Sequence, residues 1–332
     1  MMLRENEIRP DHLRKGQEER FAADVRRLLE RRGEFVFVPC PACGGREVLH
    51  EFTKYELPYV SCRSCRTLYI NPRPTPGILE DYYAHSENYA YWNRYIFPAS
   101  EGARREKIFR PRAVRLLNIC RRYGVPRETL VEVGAGFGTF CEEITRLDHF
   151  RRLIAVEPTP DLAETCRRKG FEVIQKPVEQ VCLGPSAVDA IASFEVIEHL
   201  FSPRDFLGAC ARMLTDGGVL VLSCPNGLGF EVGVLGAASD TVDVEHLNYF
   251  NPSSLSELLK SSGFRILEVT TPGELDAELV RKKVLQGECD LSGRPFLRRV
   301  LLEEWDRLGE EFQKFLSDNM LSSHMWLVAR KS

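Results

Sequence analysis

The stretch Leu130-Val-Glu-Val-Gly-Ala-Gly-Phe-Gly138 decides the fold of this chain of 332 residues. It begins as an apolar strand, its three glycines predict a tight turn, and Thr139-Phe140 starts a helical pattern. A glycine turn between a strand and a helix lets the backbone approach a ligand closely at the carboxyl edge of a sheet. The stretch therefore predicts an α/β fold with a ligand-binding loop. Dinucleotide-binding folds carry a similar loop, so the loop alone leaves the ligand open.

Two carboxylates narrow the choice of ligand. Glu132 lies inside the strand, two residues before the first glycine, where it would repel a pyrophosphate and favour a sulfonium or ammonium group. The next strand candidate ends at Glu157-Pro158, about 20 residues after the loop. An acidic residue at that point accepts hydrogen bonds from the hydroxyls of a ribose. An ordinary helix-start carboxylate is the alternative for Glu157.

Apolar runs of strand length alternate with helical stretches, which predicts a parallel sheet with right-handed crossovers. The strand candidates are Leu130–Val133, Leu153–Val156, Phe171–Ile174, Ala190–Phe194, Val219–Ser223, Phe264–Val269 and His324–Ala329. A charged helical insert, residues 275–319, precedes the last strand. We expect this insert to lie over the strand ends as a lid, or to form a dimer surface.

These motifs resemble, in their order along the chain, those of class I S-adenosylmethionine-dependent methyltransferases. The matching segments are VEVGAGFG (131–138), VEP (156–158), DAIASFEVIEHL (189–200), LTDGGVLVLSCPN (214–226) and LVAR (327–330). The resemblance implies a Rossmann-like sheet of seven strands with the last strand reversed, and S-adenosylmethionine as the cofactor. It also implies contacts to the cofactor from Gly134, Gly136 and Gly138 in the loop, Glu157 and Pro158 at the ribose, Val178 and Glu179 at the adenine, and Phe194 and Glu195 at the methionine moiety.

Four cysteines near the start of the chain predict a metal site. The apolar run Phe35–Val38, which we interpret as a short strand, leads into the pair Cys40 and Cys43, and a second pair, Cys62 and Cys65, follows 18 residues later. This spacing is typical of a zinc site, in which four thiolates converge on one tetrahedral ion. Because protein would fill all four positions, such an ion would be structural. Buried or redox cysteines are the alternative.

The cysteine pairs and a second motif indicate which group of methyltransferases the chain resembles. Cysteine pairs followed by Asn-Pro-Arg-Pro (71–74), ahead of methyltransferase motifs, are similar to those of bacterial sugar C-methyltransferases and their shorter uncharacterised relatives. The segment Asp243-Val-Glu245-His246 is similar to the one that carries a Glu-His pair near the substrate in those enzymes, which have tyrosine where Asp243 stands. The resemblance implies a sugar or nucleotide-linked sugar as the acceptor. Oxygen, nitrogen and carbon all stay open as the methylated atom.

Methyl transfer to a hydroxyl or C–H group needs a base, and imidazole suits that role because its pKa ordinarily lies near neutrality. His246 is the first candidate, with Glu245 orienting it. His199, just past the fourth strand, is the second candidate, and a structural role at a helix start is its alternative. Asp243 would bind a hydroxyl of the acceptor or cap a turn.

Aromatic and arginine residues crowd the segment before the glycine loop. Seven aromatic residues fall between Tyr82 and Phe97, and we expect most to pack the zinc block against the catalytic domain, with one or two reaching the cleft. Four arginines follow, and they would either bind an anionic group of the substrate or form a solvated helix face: Arg104, Arg105, Arg110 and Arg112.

Composition and charge limit the class of protein and the compartment that we expect. Hydrophobic residues make up 43% and charged residues 28%, which are globular proportions, and a net charge of −3 gives no bulk attraction to nucleic acid. With no apolar run of membrane-spanning length and no apolar block near the start, we expect neither a membrane span nor a signal peptide. Eleven cysteines, an odd number, favour free or metal-bound thiols in a reducing cytoplasm.

These observations divide the chain into a charged N-terminal helix (1–34), a zinc ribbon (35–74), a helical linker (75–115) and a cofactor-binding domain (116–332). The predicted function is methyl transfer to a small polar acceptor. An RNA methyltransferase that grips nucleic acid through the zinc module is one alternative, which salt-dependent RNA binding would support. A non-catalytic partner protein is another, which failure to bind S-adenosylmethionine would support. The oligomeric state stays open.

Overall fold

The computed structural model describes residues 4–184 and 186–332, and its strands form one sheet of seven strands and one of four. In chain order the strands are β1 Val48–Lys54, β2 Leu57–Cys62, β3 Leu68–Ile70, β4 Thr129–Val133, β5 Arg152–Val156, β6 Glu172–Ile174, β7 Val188–Phe194, β8 Leu214–Pro225, β9 Asn248–Tyr249, β10 Phe264–Thr270 and β11 His324–Lys331.

The large sheet has the strand order β10-β11-β8-β7-β4-β5-β6. Strands β4 to β8 pair in parallel, whereas β11 runs antiparallel to both of its neighbours. The central strands β4 and β7 are buried along their whole length, as expected of a sheet that has helices on both faces. The seven-stranded sheet with a reversed last strand is therefore confirmed, and each predicted strand of it forms.

Helices flank the sheet and connect its strands. They are α1 Glu5–Ile8, α2 Asp11–Glu30, α3 Pro76–His85, α4 Glu87–Tyr91, α5 Phe97–Arg104, α6 Arg110–Arg122, α7 Thr139–Arg146, α8 Pro160–Arg168, α9 Pro203–Met213, α10 Phe230–Leu235, α11 Pro252–Ser261, α12 Asp276–Leu285, α13 Pro295–Arg298 and α14 Trp305–Asp318. The predicted insert before the last strand is thus helical, with α12 to α14 between β10 and β11. No helix in the described part of the chain is long and apolar enough to cross a membrane.

The linker between the two sheets is one long helical segment, residues 87–122, in which wider π-helical turns join α4, α5 and α6. Proline explains both turns. Pro98 and Pro111 lie in the first turns of α5 and α6, and each removes a backbone donor from the regular hydrogen-bond ladder. The N-terminal helix α2 packs beside this segment. The buried carboxylate of Asp24 accepts hydrogen bonds from the backbone N–H groups of Glu87 and Asn88 at the start of α4.

The small sheet has the order β1-β2-β3-β9, and β9 joins the cysteine-bearing strands to the catalytic part of the chain. Leu68 pairs with Tyr249 and Tyr69 pairs with Asn248, so a segment far along the sequence completes the ribbon. The predicted strand at 35–38 is wrong. Val36 makes a single bridge to Arg73, and the side chain of Phe37 is 80% exposed, so no neighbouring strand extends the pairing.

Candidate active site

The glycine loop follows β4 at the carboxyl edge of the parallel strands. Gly134, Gly136 and Gly138 have φ values of 78°, 55° and 69°, in the left-handed region that favours glycine. A Cβ atom on Gly134 would lie 2.4 Å from Cγ2 of Val196, so a larger residue would displace its surroundings. The loop therefore presents bare backbone at the strand end, where a ligand can approach closely.

Glu157 follows β5 and ties this loop to the next strand end. Its carboxylate accepts hydrogen bonds from the backbone N–H groups of Gly136 at 2.8 Å and Thr159 at 2.9 Å. The side chain is buried, and burial raises the pKa of Glu157 above its ordinary value. A carboxylate offers about four lone-pair sites, so capacity remains for ribose hydroxyls. Loop and carboxylate together fit the nucleoside part of S-adenosylmethionine. The neighbouring Pro158 is exposed.

Glu132 lies in β4 beneath the loop and is buried. The thiol of Cys141 in α7 donates a hydrogen bond to its carboxylate at 2.9 Å. Burial raises the pKa of Glu132 to about 8, so its charge state changes near neutral pH. A cationic ligand group nearby would favour the ionised form, which fits the predicted preference for a sulfonium or ammonium. Cys141 could not be identified from the sequence, because nothing in its local pattern separates it from the other scattered cysteines.

The remaining residues that the resemblance implies for the cofactor follow β6 and end β7. Val178 is buried in the core and Glu179 is partly buried, both in the short 3₁₀ helix after β6. Phe194 packs edge-on against Phe140 of α7, with 4.9 Å between the ring centroids. The carboxyl ends of parallel strands meet at one edge of a sheet, so these residues share that edge with the loop.

Glu195 is held by a set of donors from distant segments. Its φ of 55° is uncommon for a residue with a side chain. Its carboxylate accepts hydrogen bonds from the Ser223 hydroxyl, from Nε2 of His324 at 2.8 Å and from Arg112 at 3.2 Å. Desolvation opposes ionisation, but His324 and Arg112 together hold the pKa of Glu195 well below its usual range. His324 begins β11 and could not be identified from the sequence, because no motif surrounds it.

A cavity of about 430 Å³ opens beside Glu195. This volume is sufficient for a small molecule. Its lining comes from six separated parts of the chain, which are residues 5–9, 107–115, 195, 225–246, 272–279 and 323–326. Helix α1 and the start of α12 both contribute, so the N-terminal segment and the predicted insert cover the cavity together.

His246 is the predicted catalytic residue that lines this cavity. Its side chain is 18% exposed, and its Nδ1 lies 2.8 Å from the carbonyl oxygen of Thr241. A carbonyl oxygen can only accept, so Nδ1 carries the proton and Nε2 keeps its lone pair. The carboxylate of Asp243 accepts the backbone N–H groups of Glu245 and His246 at 2.9 Å, which is the turn-capping role expected for it.

Glu245 does not orient His246, contrary to the prediction. Its carboxylate accepts hydrogen bonds from the hydroxyl of Tyr82 at 2.8 Å and from the side-chain amide of Asn88 at 3.3 Å. Burial and the nearby charge of Asp243 raise the pKa of Glu245 to about 7. Adjacent residues in this turn point in different directions, so the carbonyl of Thr241 positions the imidazole instead.

His199 and Glu198 lie directly behind His246. The two imidazole centroids are 4.6 Å apart, and Nδ1 of His199 lies 3.0 Å from the carbonyl oxygen of Glu245. Desolvation and the neighbouring imidazole lower the pKa of His199 to about 3, so the ring is neutral at ordinary pH. Glu198 is fully buried, and burial together with the charge of Glu195 raises its pKa well above the usual range.

The four cysteines converge as predicted. The Sγ atoms of Cys40 and Cys65 are 3.5 Å apart, as are those of Cys43 and Cys62, and all four lie within 4.8 Å of one another. Zinc–sulfur bonds of about 2.3 Å at tetrahedral angles place sulfurs about 3.8 Å apart, so this donor set fits zinc. A disulfide would need about 2.05 Å, and the four cysteines are free thiols.

Three of the four linker arginines take neither of the two expected roles. Arg105 and Arg110 form ion pairs with Glu143 of α7, and Arg104 donates to the carbonyl oxygen of Ile8. These three arginines join helices to one another, whereas Arg112 lines the cavity and pairs with Glu195.

Two of the linker aromatics contact residues next to His246, although none of the seven lines the cavity. The hydroxyl of Tyr83 lies 3.3 Å from Nδ1 of His199, and Tyr82 donates to Glu245. Phe97 stacks on Phe137 of the glycine loop, with 3.5 Å between the ring centroids. The aromatic segment therefore supports both the loop and the histidine pair.

The fold is that of an α/β protein with a glycine loop and an acidic strand end at one sheet edge, and comparison with known families gives a narrower assignment. A family model described as a methyltransferase domain matches residues 92–269, more than half of the chain. The chain therefore belongs to this methyltransferase family, and the class that the motifs resemble is confirmed.

Named relatives agree with this assignment. A protein of Mycolicibacterium smegmatis named as a probable S-adenosylmethionine-dependent methyltransferase is 29% identical over 140 residues, which are 41% of this chain and 52% of the relative. The chain thus spans about half the length of that relative. A ubiquinone biosynthesis O-methyltransferase of Xanthomonas campestris is 26% identical over 171 residues, which are 47% of this chain and 71% of the relative.

Among solved structures, that of an S-adenosylmethionine-dependent methyltransferase from Archaeoglobus fulgidus is 20% identical, with a TM-score of 0.49. The match covers 71% of this chain and all of that one.

Proposed function

We propose that this chain transfers the methyl group of S-adenosylmethionine to a small polar acceptor in the cavity. The observation that carries the proposal is the position of the cavity relative to the glycine loop. Glu195, at the end of β7, lines the cavity, and β7 pairs with β4, which ends in the loop. A cofactor held by the loop and a small molecule in the cavity would therefore meet at the same sheet edge.

S-adenosylmethionine supplies an electrophilic methyl group on a sulfonium sulfur. The chain's own residues would orient the two reactants, exclude water and take up a proton. The glycine loop and Glu157 bind the nucleoside. Helix α1 and the start of α12 cover the cavity. His246 accepts the proton that the acceptor loses, because its Nδ1–H is committed to Thr241 and its Nε2 keeps a lone pair.

The chemistry of the cavity wall supports a hydroxyl-rich acceptor. Carboxylates of Asp240, Asp243 and Glu231 line it and can accept hydrogen bonds from hydroxyls, while Arg9 and Arg112 can bind an anionic group. A sugar or nucleotide-linked sugar offers both features, so this is the acceptor class that we propose. The similarity to enzymes named O-methyltransferases favours oxygen as the methylated atom.

Calorimetric titration with S-adenosylhomocysteine, beside NADH as a control, tests the cofactor assignment. We expect binding of the former and none of the latter. Binding of neither compound would overturn the proposed reaction and favour a non-catalytic role.

Acceptor screening with methyl-labelled S-adenosylmethionine tests the acceptor class. We expect nucleotide sugars to gain label, and alkali-stable ether products would identify oxygen as the methylated atom. Label that appears in RNA and not in sugars would contradict the proposal.

We also propose that the four cysteines hold a structural zinc ion, in a protein that works in a reducing cytoplasm. Cys62→Ser should lose the zinc. It should also lower the free energy of unfolding by roughly several kcal/mol, because the binding energy of a structural metal contributes to folding. Cys182→Ser, at an exposed cysteine outside the cluster, is the matched control. Metal analysis and chemical denaturation measure both effects. A wild-type protein that is fully stable without zinc would contradict this assignment.

The division of the chain into segments 1–34, 35–74, 75–115 and 116–332 also stays a proposal.

A further inference from the structure

A second group of metal-ligating side chains lies at the wall of the acceptor cavity. One ligand atom from each of Glu198, His199 and His246 lies within 4.8 Å of the other two. His246 lines the cavity, and the other two side chains lie behind it. The group is distinct from the four cysteines.

The tautomers of both imidazoles suit a metal site. Nδ1 of His199 and Nδ1 of His246 each lie at hydrogen-bonding distance from a backbone carbonyl oxygen, of Glu245 at 3.0 Å and of Thr241 at 2.8 Å. Because these carbonyls accept the Nδ1 protons, the lone pairs are on Nε2. Metal-ligating histidines are characteristically fixed in this way, with the second ring nitrogen donating to a carbonyl or carboxylate.

The buried carboxylate of Glu198 is an independent observation. Its side chain has no exposed surface, and neither oxygen has a hydrogen-bond partner among the described residues. Burying an unpaired carboxylate is costly, and buried charged groups in proteins are normally paired or coordinate a metal. A cation between Glu198 and the two imidazoles would satisfy this carboxylate.

The backbone around these ligands is braced by a residue of the small sheet. The backbone N–H and the side-chain amide of Asn248 both donate to the carbonyl oxygen of Glu198, at 3.0 and 3.2 Å. Asn248 lies in β9, which pairs with β3. The cysteine-bearing sheet therefore fixes the distance between the Glu198–His199 turn and the segment that carries His246.

We propose that Glu198, His199 and His246 bind a divalent cation at the wall of the acceptor cavity. Two imidazole nitrogens and one carboxylate form a ligand set that divalent transition ions accept, and three protein ligands leave positions open for an exogenous oxygen. This inference rests on the proposed function for the place of the acceptor, and it names the acceptor class more closely as a molecule with two neighbouring hydroxyls that can chelate the ion.

The cation changes how the acceptor is activated. Coordination lowers the pKa of a bound hydroxyl, so the O–H proton passes to water in the open cavity. The resulting alkoxide oxygen forms a bond to the methyl carbon while the carbon–sulfur bond breaks, and its electron pair stays on sulfur to give S-adenosylhomocysteine. When the ion is bound, His246 acts as a ligand that holds it and does not accept the proton of the acceptor. When the ion is absent, His246 acts as the base.

Titration of the zinc-containing wild-type protein with Co²⁺, by calorimetry and visible absorption, tests the site. We expect one additional Co²⁺ per chain without thiolate-to-metal charge-transfer absorption, because the ligands are nitrogen and oxygen. Glu198→Gln and His246→Ala should each weaken Co²⁺ binding by more than about 100-fold, because each removes a ligand atom. Loss of a residue that only supports a ligand costs less. His149→Asn removes another largely buried histidine, on a different part of the fold, and should leave binding unchanged.

Two outcomes would overturn the inference: absence of Co²⁺ binding in the wild type, and binding that survives in both Glu198→Gln and His246→Ala. Circular dichroism shows whether each variant is folded, and Glu198→Asp, which keeps the carboxylate, should retain part of the affinity if Glu198→Gln fails to fold. S-adenosylhomocysteine binding is measured on the same samples. Cofactor binding without Co²⁺ binding would remove the cation site and leave the methyltransferase proposal intact.

The effect of a chelator on turnover separates the two ways of activating the acceptor. We expect turnover to fall on chelation and to return with added Co²⁺ or Mn²⁺, while the zinc content of the cysteine site is unchanged. Full turnover without any added or residual second metal would overturn the catalytic role of the cation and leave His246 as the base.

Discussion

The cofactor edge and the acceptor cavity are built in different ways. The cofactor edge consists of short continuous motifs, in which Gly134 to Gly138 follow one strand and Glu157 follows the next. The proposed acceptor cavity draws on six segments that span residues 5–326, including the N-terminal helix and the first residues of the last strand. Under the proposed function, binding of the cofactor is encoded locally, whereas recognition of the acceptor depends on how distant segments pack together. The predictions below test this separation.

The largest effect should come from the glycine loop. Gly134→Val should reduce S-adenosylhomocysteine affinity by more than about 100-fold, because the residue has φ of 78° and its Cβ atom would lie 2.4 Å from Val196 Cγ2. Gly102→Ala is the control, since this helical glycine has open space around it and should bind normally. Calorimetry measures both. Retained affinity in Gly134→Val would show that the loop does not carry the cofactor.

A change in the acceptor cavity should affect turnover but not cofactor binding. His246→Ala should lower kcat by about 10²–10⁴-fold, the range for loss of a group that handles a proton, and leave S-adenosylhomocysteine affinity nearly unchanged. His85→Ala, at an exposed histidine outside the cavity, should retain full turnover. Unchanged kcat in His246→Ala would break the assignment of this residue, and a loss of cofactor affinity would break the separation of the two regions.

The buried carboxylate beneath the loop should make stability depend on pH. Burial raises the pKa of Glu132 from 4.5 to about 8, so the folded protein binds more protons than the unfolded chain between these values. The free energy of unfolding should therefore fall as pH rises from about 5 to 8, by on the order of 1–3 kcal/mol. Glu132→Gln should flatten this slope, as measured by denaturation of the cofactor-free protein. The same slope in both proteins would contradict the assignment.

The smallest effect should come from a hydrogen bond behind the histidine pair. Tyr82→Phe removes the 2.8 Å hydrogen bond to Glu245 but leaves the one from Asn88. We expect a loss of about 1 kcal/mol in the free energy of unfolding and less than a tenfold change in kcat. Tyr95→Phe, at a tyrosine that is 43% exposed and lies outside the site, should change neither quantity. A Tyr82 variant as inactive as His246→Ala would place Glu245 in the chemistry itself.

Much of the cofactor edge could be predicted because its signals are local. Glycines at 134, 136 and 138, an acidic residue after the next strand and the alternation of strands and helices each lie within one or two elements, and the structure brings them to one edge. The cysteine pairs are local in the same sense. The predicted strand at 35–38 was wrong because an apolar run forms a strand only where another strand is available to pair with it.

The acceptor side shows what local pattern cannot determine. Neighbours in sequence suggested that Glu245 orients His246, but the structure assigns that role to the carbonyl of Thr241, and Glu245 turns towards Tyr82. His324 carried no sequence signal, although it contacts Glu195 across 129 positions of the chain. Such contacts arise when separate segments pack, so single-sequence patterns do not record them.

The sequence by itself determined the fold class, the glycine loop, the acidic strand ends and the convergence of four cysteines, since strand periodicity, glycine conformation and short thiol spacing act over a few residues. The tertiary structure alone decided which side chains line the cavity, how Glu195 is kept ionised, and that Glu198 lies unpaired behind two oriented imidazoles. The physical reason is that burial and electrostatic environment are properties of the packed assembly. They come into being only when β9 joins the cysteine-bearing sheet and brings His246 next to His199.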